Sequence, residues 1–390
     1  MKQISVLVLL LMLASCSEKP VEVQLATANV SPGFNYVLDT VFIDAGEEQI
    51  YLEMDLSMSD YSAREGILYN LTPESARVEV INMETLKLDS IINYKINGPN
   101  SVKQYFPFGL KKTLFDNTFF KEYKVIHKLN AEGKKIDSYE LINRELSGDR
   151  LPFDTEIDGL GEIATDGSYL ASFYGNFKIG GNVLGIAKVS LVDRSLKLIP
   201  IDFWDQLKQY TITVDYDIGK RNSSPELKYL LLNGPDIILS TSASNELWYY
   251  DAESGTVTNK TYHSQITSDK KSGNYRQDIT NQRLFMYWVN RKNDEVTFGP
   301  LLKDQNAQRF YRYSRELDKS NPQRPKYIYV LTVFDETLEQ IHEQKLQNYI
   351  PIIGKYFEEK TFVHNGSIYT YLKKENQLAF IRLKPSFEND

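Results

Sequence analysis

Short runs in which apolar and polar residues alternate recur along this chain, and apolar stripes at helical spacing are nearly absent. One pattern returns several times: an aromatic or β-branched strand ends at Asn or Asp, a tight turn follows, and a second alternating strand leads away. The clearest copy is 247–251 with a turn at 252–255 and a strand at 256–258. Others are 78–82 with 86–88, 125–130 with Gly133 and Ile136, 187–193 with 196–198, and 327–335 with 338–341. Asn and Asp suit the turn entry because their side chains accept from backbone N–H groups two residues on. Further strands precede these pairs, as at 66–71, 169–174 and 237–241. Antiparallel units of three to four strands, repeated at intervals of several tens of residues, predict an all-β chain folded as a β-propeller.

The ends of the chain complement each other. Residues 361–364, 367–372 and 378–383 form three strands of a last unit, and 36–44 is a strand without a hairpin partner. A circular fold closes by adding that N-terminal strand to the outer edge of the last blade, which favours six blades, with seven possible. A sandwich also shows short regular strands, but repetition and complementary ends favour the propeller. Residues 203–209 and 338–347 contain helix formers; repeat register assigns strand to the second. The interval 251–335 must hold an insertion, with 291–300 and 314–325 as its loops.

Composition supports strands: 26 Tyr and 19 Phe stand against 6 Met in 390 residues. No Gly/Ser-rich or Pro-rich linker divides the chain, so 33–390 reads as one domain. The net charge of −7 argues against nucleic acid, which needs a basic footprint.

The N-terminus carries an address. Lys2 is followed by an unbroken apolar run from Val6 to Ala14, too short for a span of about 20 residues. Leu13-Ala14-Ser15-Cys16 comes next and resembles a bacterial lipoprotein signal. Cys16 is the only cysteine, and an exported chain offers it no intramolecular partner; an acyl acceptor explains it better than an incidental thiol. Residues 1–15 are therefore expected to be a signal peptide and 16–32 a lipidated tether. The expected membrane contact is an acyl anchor at Cys16. Ser17, where inner-membrane lipoproteins often carry Asp, favours the outer membrane, facing periplasm or cell surface.

The chain also resembles an uncharacterised family of bacterial lipoproteins, a domain of unknown function akin to six-bladed β-propeller lipoproteins. The likeness rests on Leu13-Ala14-Ser15-Cys16, the hairpin copies and the C-terminal third. That third runs from Phe310-Tyr311-Arg312-Tyr313-Ser314-Arg315 through Val333-Phe334-Asp335-Glu336 to Gly366-Ser367-Ile368-Tyr369. It implies a location and a shape, and carries over no functional residue beyond Cys16.

Catalytic signatures are sparse. His342-Glu343 opens like H-E-x-x-H, but Leu346 stands where the second ligand belongs. No nucleophile elbow occurs, and Ile186 replaces the lysine a phosphate loop would need after Gly180 to Gly185. Asp154, Glu156 and Asp158, with Gly159, approach a calcium loop, but Ile157 and Thr165 break it; a solvated acidic turn is the preferred reading, and neither metal nor cofactor is expected. Arg309, Tyr311, Tyr313 and Arg315 share one face of a strand, with Phe310 and Arg312 on the other. They either bind sugar or carboxylate groups or pack between blades with their charged heads at solvent.

These features favour a lipid-anchored cell-envelope module that binds a protein or glycan, without catalysis. The alternatives are a propeller enzyme acting on glycans, hydrolase or lyase, with carboxylates drawn from different blades, or a structural subunit of an outer-membrane assembly.

Overall fold

The computed structural model describes residues 33–102, 107–178, 181–217, 220–276, 278–320, 323, 325–346, 359–374 and 377–387. The signal, Cys16 and the tether lie outside the described residues. Six small sheets stand in a ring, a six-bladed β-propeller. Blade I comprises Asp60–Ser62, Ile67–Thr72, Arg77–Asn82 and Lys87–Asn93. Blade II comprises Pro107–Lys112, Thr118–Glu122, Val125–Leu129 and Lys135–Glu140. Blade III runs from the inner pieces Glu156–Ile157 and Glu162–Ile163 through Tyr169–Gly175 and Val183–Ser190 to Ser195–Pro200, with Ser147–Gly148 added in parallel outside. Blade IV comprises Lys228–Asn233, Asp236–Thr241, Glu246–Tyr250 and Val257–Thr261, and blade V comprises Thr297–Asp304, Arg309–Asp318, Lys326–Phe334 and Gln340–Leu346.

Blade VI closes the ring. Thr361–His364, Ser367–Lys374 and Gln377–Phe387 come from the C-terminus, and the outermost strand is Phe34–Phe42. That strand pairs antiparallel over nine residues, from Phe34 opposite Phe387 to Phe42 opposite Ala379. The predicted closure by the N-terminal strand is thus observed.

No single core exists; apolar side chains form a layer between each pair of neighbouring blades. Phe120, Leu110 and Val78 pack between blades I and II, Phe119, Leu170 and Val189 between II and III, and Trp248, Ile186 and Trp204 between III and IV. Blades IV and V share Ile238, Phe310 and Phe334, V and VI share Tyr311, Leu331 and Ile368, and VI and I share Phe380, Leu68 and Ile81. A blade's middle strands therefore bury both faces, and Tyr169–Gly175 is buried at every position. This differs from the half-solvated alternation of an ordinary antiparallel sheet.

The turns work as their sequences predict. Asn82 Oδ1 accepts from the N–H groups of Glu84 and Thr85 at 3.0 and 3.1 Å, and Asp251 Oδ1 from Glu253 and Ser254 at 2.8 and 2.9 Å. Asp335 Oδ1 likewise takes Thr337 and Glu339, both at 2.9 Å.

The insertion is where expectation and structure part. Residues 291–300 are not a loop: they finish the helix Gln282–Asn293 and begin the inner strand Thr297–Asp304. The expected loop at 314–325 starts too early, because the strand Arg309–Asp318 continues through Ser314, held by register to Lys326–Phe334. The helix carries only a narrow apolar stripe, with Phe285 and Val289 buried, and Asn281 caps it by accepting from Leu284 N–H at 3.1 Å. It packs on a seventh, three-stranded sheet of Lys220–Ser224, Ile212–Asp217 and Asp278–Ile279. Residues 203–209 fall in a 3-10 helix, Asp202–Tyr210, and 340–346 form a strand as the repeat register requires.

Candidate functional site

The innermost strands of the blades surround a central cavity of about 1380 Å³ to which all six blades contribute. Their lining mixes charged and polar residues with apolar ones such as Leu231 and Leu301. Asp60 of blade I, Lys111 of blade II, Glu162 of blade III and Lys360, which precedes the inner strand of blade VI, meet in its wall. Asp60 is buried and fully engaged: Oδ1 accepts from Lys111 Nζ at 2.9 Å and Oδ2 from Lys112 N–H at 2.9 Å. Lys360 Nζ donates to the Ser59 carbonyl at 2.8 Å, and buried Lys121 donates to the Gly161 carbonyl at 2.8 Å. Burial pushes the Lys360 ammonium below its usual range; Asp60 and Glu162 oppose this, and Lys111 and Lys121 add to it by repulsion. Lys111 lies on the other side of its usual value, because Asp60 and Glu162 together outweigh its desolvation.

The cavity reaches the turns that leave the inner strands, at 62–65, 113–114, 164–166 and 233–235. There Tyr61 stacks on Phe362 with ring centroids 4.2 Å apart and shares a 2.7 Å hydrogen bond with His364 Nδ1. His364 Nε2 stands 3.6 Å from Glu84 Oε1. Burial drives the His364 imidazole below its ordinary range, with Glu84 partly offsetting, so the ring is neutral at pH 7. The N-terminal strand also starts at this end: Phe34 pairs with Phe387, where the third strand of blade VI runs out toward the same face.

A family model described as a domain of unknown function, DUF4221, matches residues 32–345. The chain belongs to the DUF4221 family. A crystallised DUF4221 member from Bacteroides vulgatus ATCC 8482 has the same fold, with TM-score 0.62 and 14% identity over 91% of this chain and 99% of that one. Two more distant matches are a Bacteroides fragilis NCTC 9343 protein provisionally named an exported protein (TM-score 0.43, 10% identity, 90% and 95% covered) and a luciferin-regenerating enzyme (TM-score 0.39, 8% identity, 90% and 95% covered). No curated protein matches the chain.

In this DUF4221 propeller the Arg-Tyr run lies in the second strand of blade V, and its side chains alternate as the spacing predicts. Tyr311 and Tyr313 are buried against blade VI, and burial raises the Tyr313 phenol. Arg309 lies over the Phe387 ring at 4.1 Å, and buried Arg315 lies over Tyr327 at 4.4 Å. Arg312 points to blade IV, 1% exposed, where Nη2 bonds Asn245 Oδ1 and the guanidinium sits among Phe298, Phe334 and Tyr262. Arg309, Tyr311, Arg312, Tyr313 and Arg315 are thus gathered on one strand, with all but Arg309 buried between blades, and none of the five lines the central cavity.

The acidic turn does not converge. Asp154 takes Lys178 and Asn176, Glu156 takes Lys124 at 2.7 Å and Tyr123 at 2.7 Å, and Asp158 Oδ1 accepts from Leu160 N–H at 3.0 Å. Among the described residues no group of three or more His, Cys, Asp or Glu side chains is placed to hold a metal ion. No helix among them is long and apolar enough to cross a membrane.

Asp60, Lys111, Glu162 and Lys360 carry no motif. Their strands are short, as at Asp60–Ser62 and Glu162–Ile163, so no period announces them. The available signal was position: Asp60, Glu162 and Lys360 each fall shortly before a predicted strand, at 66–71, 169–174 and 361–364.

Proposed function

We propose that this protein is a lipid-anchored module of the bacterial cell envelope, outer-membrane in address, that binds a polar ligand in the central channel of its propeller. The observation that carries this reading is the channel itself, a cavity larger than the 300–1,000 Å³ of ordinary small-molecule pockets. Its walls mix ammonium, carboxylate, amide and phenol groups from every blade. The leader and lone Cys16 support the address: a multi-chain anchor at that residue holds a protein stably, whereas one acyl chain does so only marginally.

The test has two parts. Fatty-acid labelling in cells, with Cys16→Ser as control, tests the anchor; labelling that survives the substitution rejects it. A glycan array probed with residues 33–390, and with a Lys111→Ala/Lys112→Ala variant, tests the channel. Retained array signal in the variant moves the binding surface elsewhere.

A glycan-acting enzyme is the second reading. What favours it is that Asp60 and Glu162, from blades I and III, both reach the channel. Release of reducing ends or unsaturated sugars from an array hit, abolished by Glu162→Gln, would establish it.

A further inference from the structure

Within the proposed channel-binding role, the charge arrangement of the inner wall names a ligand class. We propose that the channel recognises a sugar acid: a carboxylate-bearing, hydroxyl-rich ring whose carboxylate is taken by Lys360 and whose hydroxyls are taken by Glu162.

The proposal starts from which charges are already used. Asp60 has one oxygen on Lys111 and the other on the Lys112 amide, and Lys360 is not among its hydrogen-bond partners. Lys360 donates to a neutral carbonyl, Ser59 O, and meets no carboxylate within ion-pair distance among the described residues. An ammonium has three donors; one is spent, and the side chain keeps surface on the cavity. Lys360 stands near the ammonium groups of Lys111 and Lys121, which repel it. A carboxylate brought to Lys360 gains a charge-assisted hydrogen bond and relieves the repulsion that Lys111 and Lys121 exert there.

Glu162 narrows the class. It is exposed on the cavity and makes no hydrogen bond or ion pair with any described residue. A bare anion would be repelled by it. A ligand that carries its carboxylate among hydroxyl groups satisfies both, because an ionised carboxylate accepts hydroxyl hydrogen bonds. Tyr61, half-buried at the cavity wall and backed by the buried Phe362 ring, adds an aromatic surface of the kind on which a sugar ring packs. The volume accommodates more than one ring.

Titration calorimetry with residues 33–390 tests this, using galacturonate and glucuronate trimers, the methyl esters of both and inorganic phosphate. The ester keeps every hydroxyl and removes the charge. The expected result is binding of an acid trimer, at least tenfold weaker binding of its ester, and no competition by phosphate at equal concentration. Lys360→Met should cost at least tenfold for the acid and leave the ester unchanged, whereas Lys360→Arg should stay within a few-fold. Glu162→Gln should weaken acid and ester alike. Far-UV spectra and melting of each variant keep folding and binding apart. Equal binding of acid and ester, or a Lys360→Met variant of full affinity, overturns the sugar-acid assignment and leaves the channel-binding role standing. Phosphate that competes as well as the acid reduces Lys360 to a general anion subsite and also overturns it. Binding of neither trimer overturns it too, and the channel-binding role then rests on the array comparison alone.

Discussion

Asp39 and Arg382, 343 residues apart in sequence, stand directly opposite each other across the strand pair that closes the ring. Arg382 Nε donates to Asp39 Oδ1 at 2.9 Å and Nη2 to Oδ2 at 2.5 Å, a two-point clamp with Lys384 Nζ a further 3.8 Å away. The clamp joins the first strand of the domain to the last, so it reports on closure of the whole propeller.

Partial burial alone would raise the Asp39 carboxyl, but the hydrogen bonds and charge of Arg382, with Lys384, outweigh it and hold it below the ordinary range. A depressed carboxyl contributes stability above its unfolded pKa, near 3.8, and loses it as pH falls through the lower folded value. Both side chains retain solvent contact, so Asp39→Asn should cost about 0.5–1.5 kcal/mol at pH 7. The gap between wild type and variant should narrow below about pH 4. Urea unfolding across pH 3–7 measures both, and a gap unchanged at pH 3 contradicts the clamp.

Glu226 is buried with two lysines where the inserted sheet and helix dock. Lys292 Nζ lies 3.0 Å from Oε1 and also donates to the Tyr210 carbonyl at 3.0 Å; Lys271 Nζ lies 4.0 Å from Oε2, which accepts from Ser242 at 2.5 Å. Removing the shared carboxylate strands two buried ammonium groups, so Glu226→Ala should cost about 3–5 kcal/mol. Hydrogen exchange should localise the loss to residues 210–224 and 278–293. An even loss around the ring would show that the insertion is not a separate unit.

Burial pushes the Lys271 ammonium down to about 8, and the Lys292 charge adds to this while Glu226 opposes it. The native state then releases this proton before the unfolded state does, so stability should rise between about pH 8 and 10.5. Lys271→Met should flatten that rise and match or exceed wild-type stability at pH 7. A rise that persists in the variant assigns it to another group.

Arg312 is a guanidinium held in an aromatic box, and desolvation pushes it down to about 10. Its energetic role is packing plus one bond to Asn245. Arg312→Met should therefore fall within about 1 kcal/mol of wild type, whereas Arg312→Ala should cost about 2–4 kcal/mol through the cavity it leaves. Because the side chain is sealed between blades IV and V, Arg312→Met should leave channel binding unchanged. A tenfold affinity loss in a folded Arg312→Met protein would return this residue to the ligand site.

Gly161 precedes Glu162 where the backbone crosses close to the next strand. A Cβ there would stand 2.4 Å from Ser172 Cβ and 2.6 Å from the Ala171 carbonyl, both fixed by the sheet. Gly161→Ala should cost about 1–3 kcal/mol and displace Glu162, weakening channel ligands as well. Thermal melting together with the array signal distinguishes this from a purely local strain.

Legibility followed burial. The third and fourth strands of blades I, III, IV and V were readable because Asn82, Asp193, Asp251 and Asp335 mark the turns between them by local chemistry. The helix Gln282–Asn293 was not, because docking against Ile212 and Val214 needs only a stripe as narrow as Phe285 and Val289. The channel residues were the least readable. A strand of two or three residues has no period, and Asp60 and Glu162 look like any surface acid until the ring turns them inward.

By itself, the sequence determined the repeating unit of three to four strands and the strand shared between the two ends. The unit depends on alternation and turn-forming side chains, which are local, and the shared strand is legible as a strand without a hairpin partner at one end matching an incomplete unit at the other. Only the tertiary structure decided that there are six blades, that the Arg-Tyr strand is packed between them, and that Asp60, Lys111, Glu162 and Lys360 share one wall. Those outcomes depend on how far each blade rotates against the next, which is set by apolar layers drawn from successive blades and, at the closure, from opposite ends of the chain.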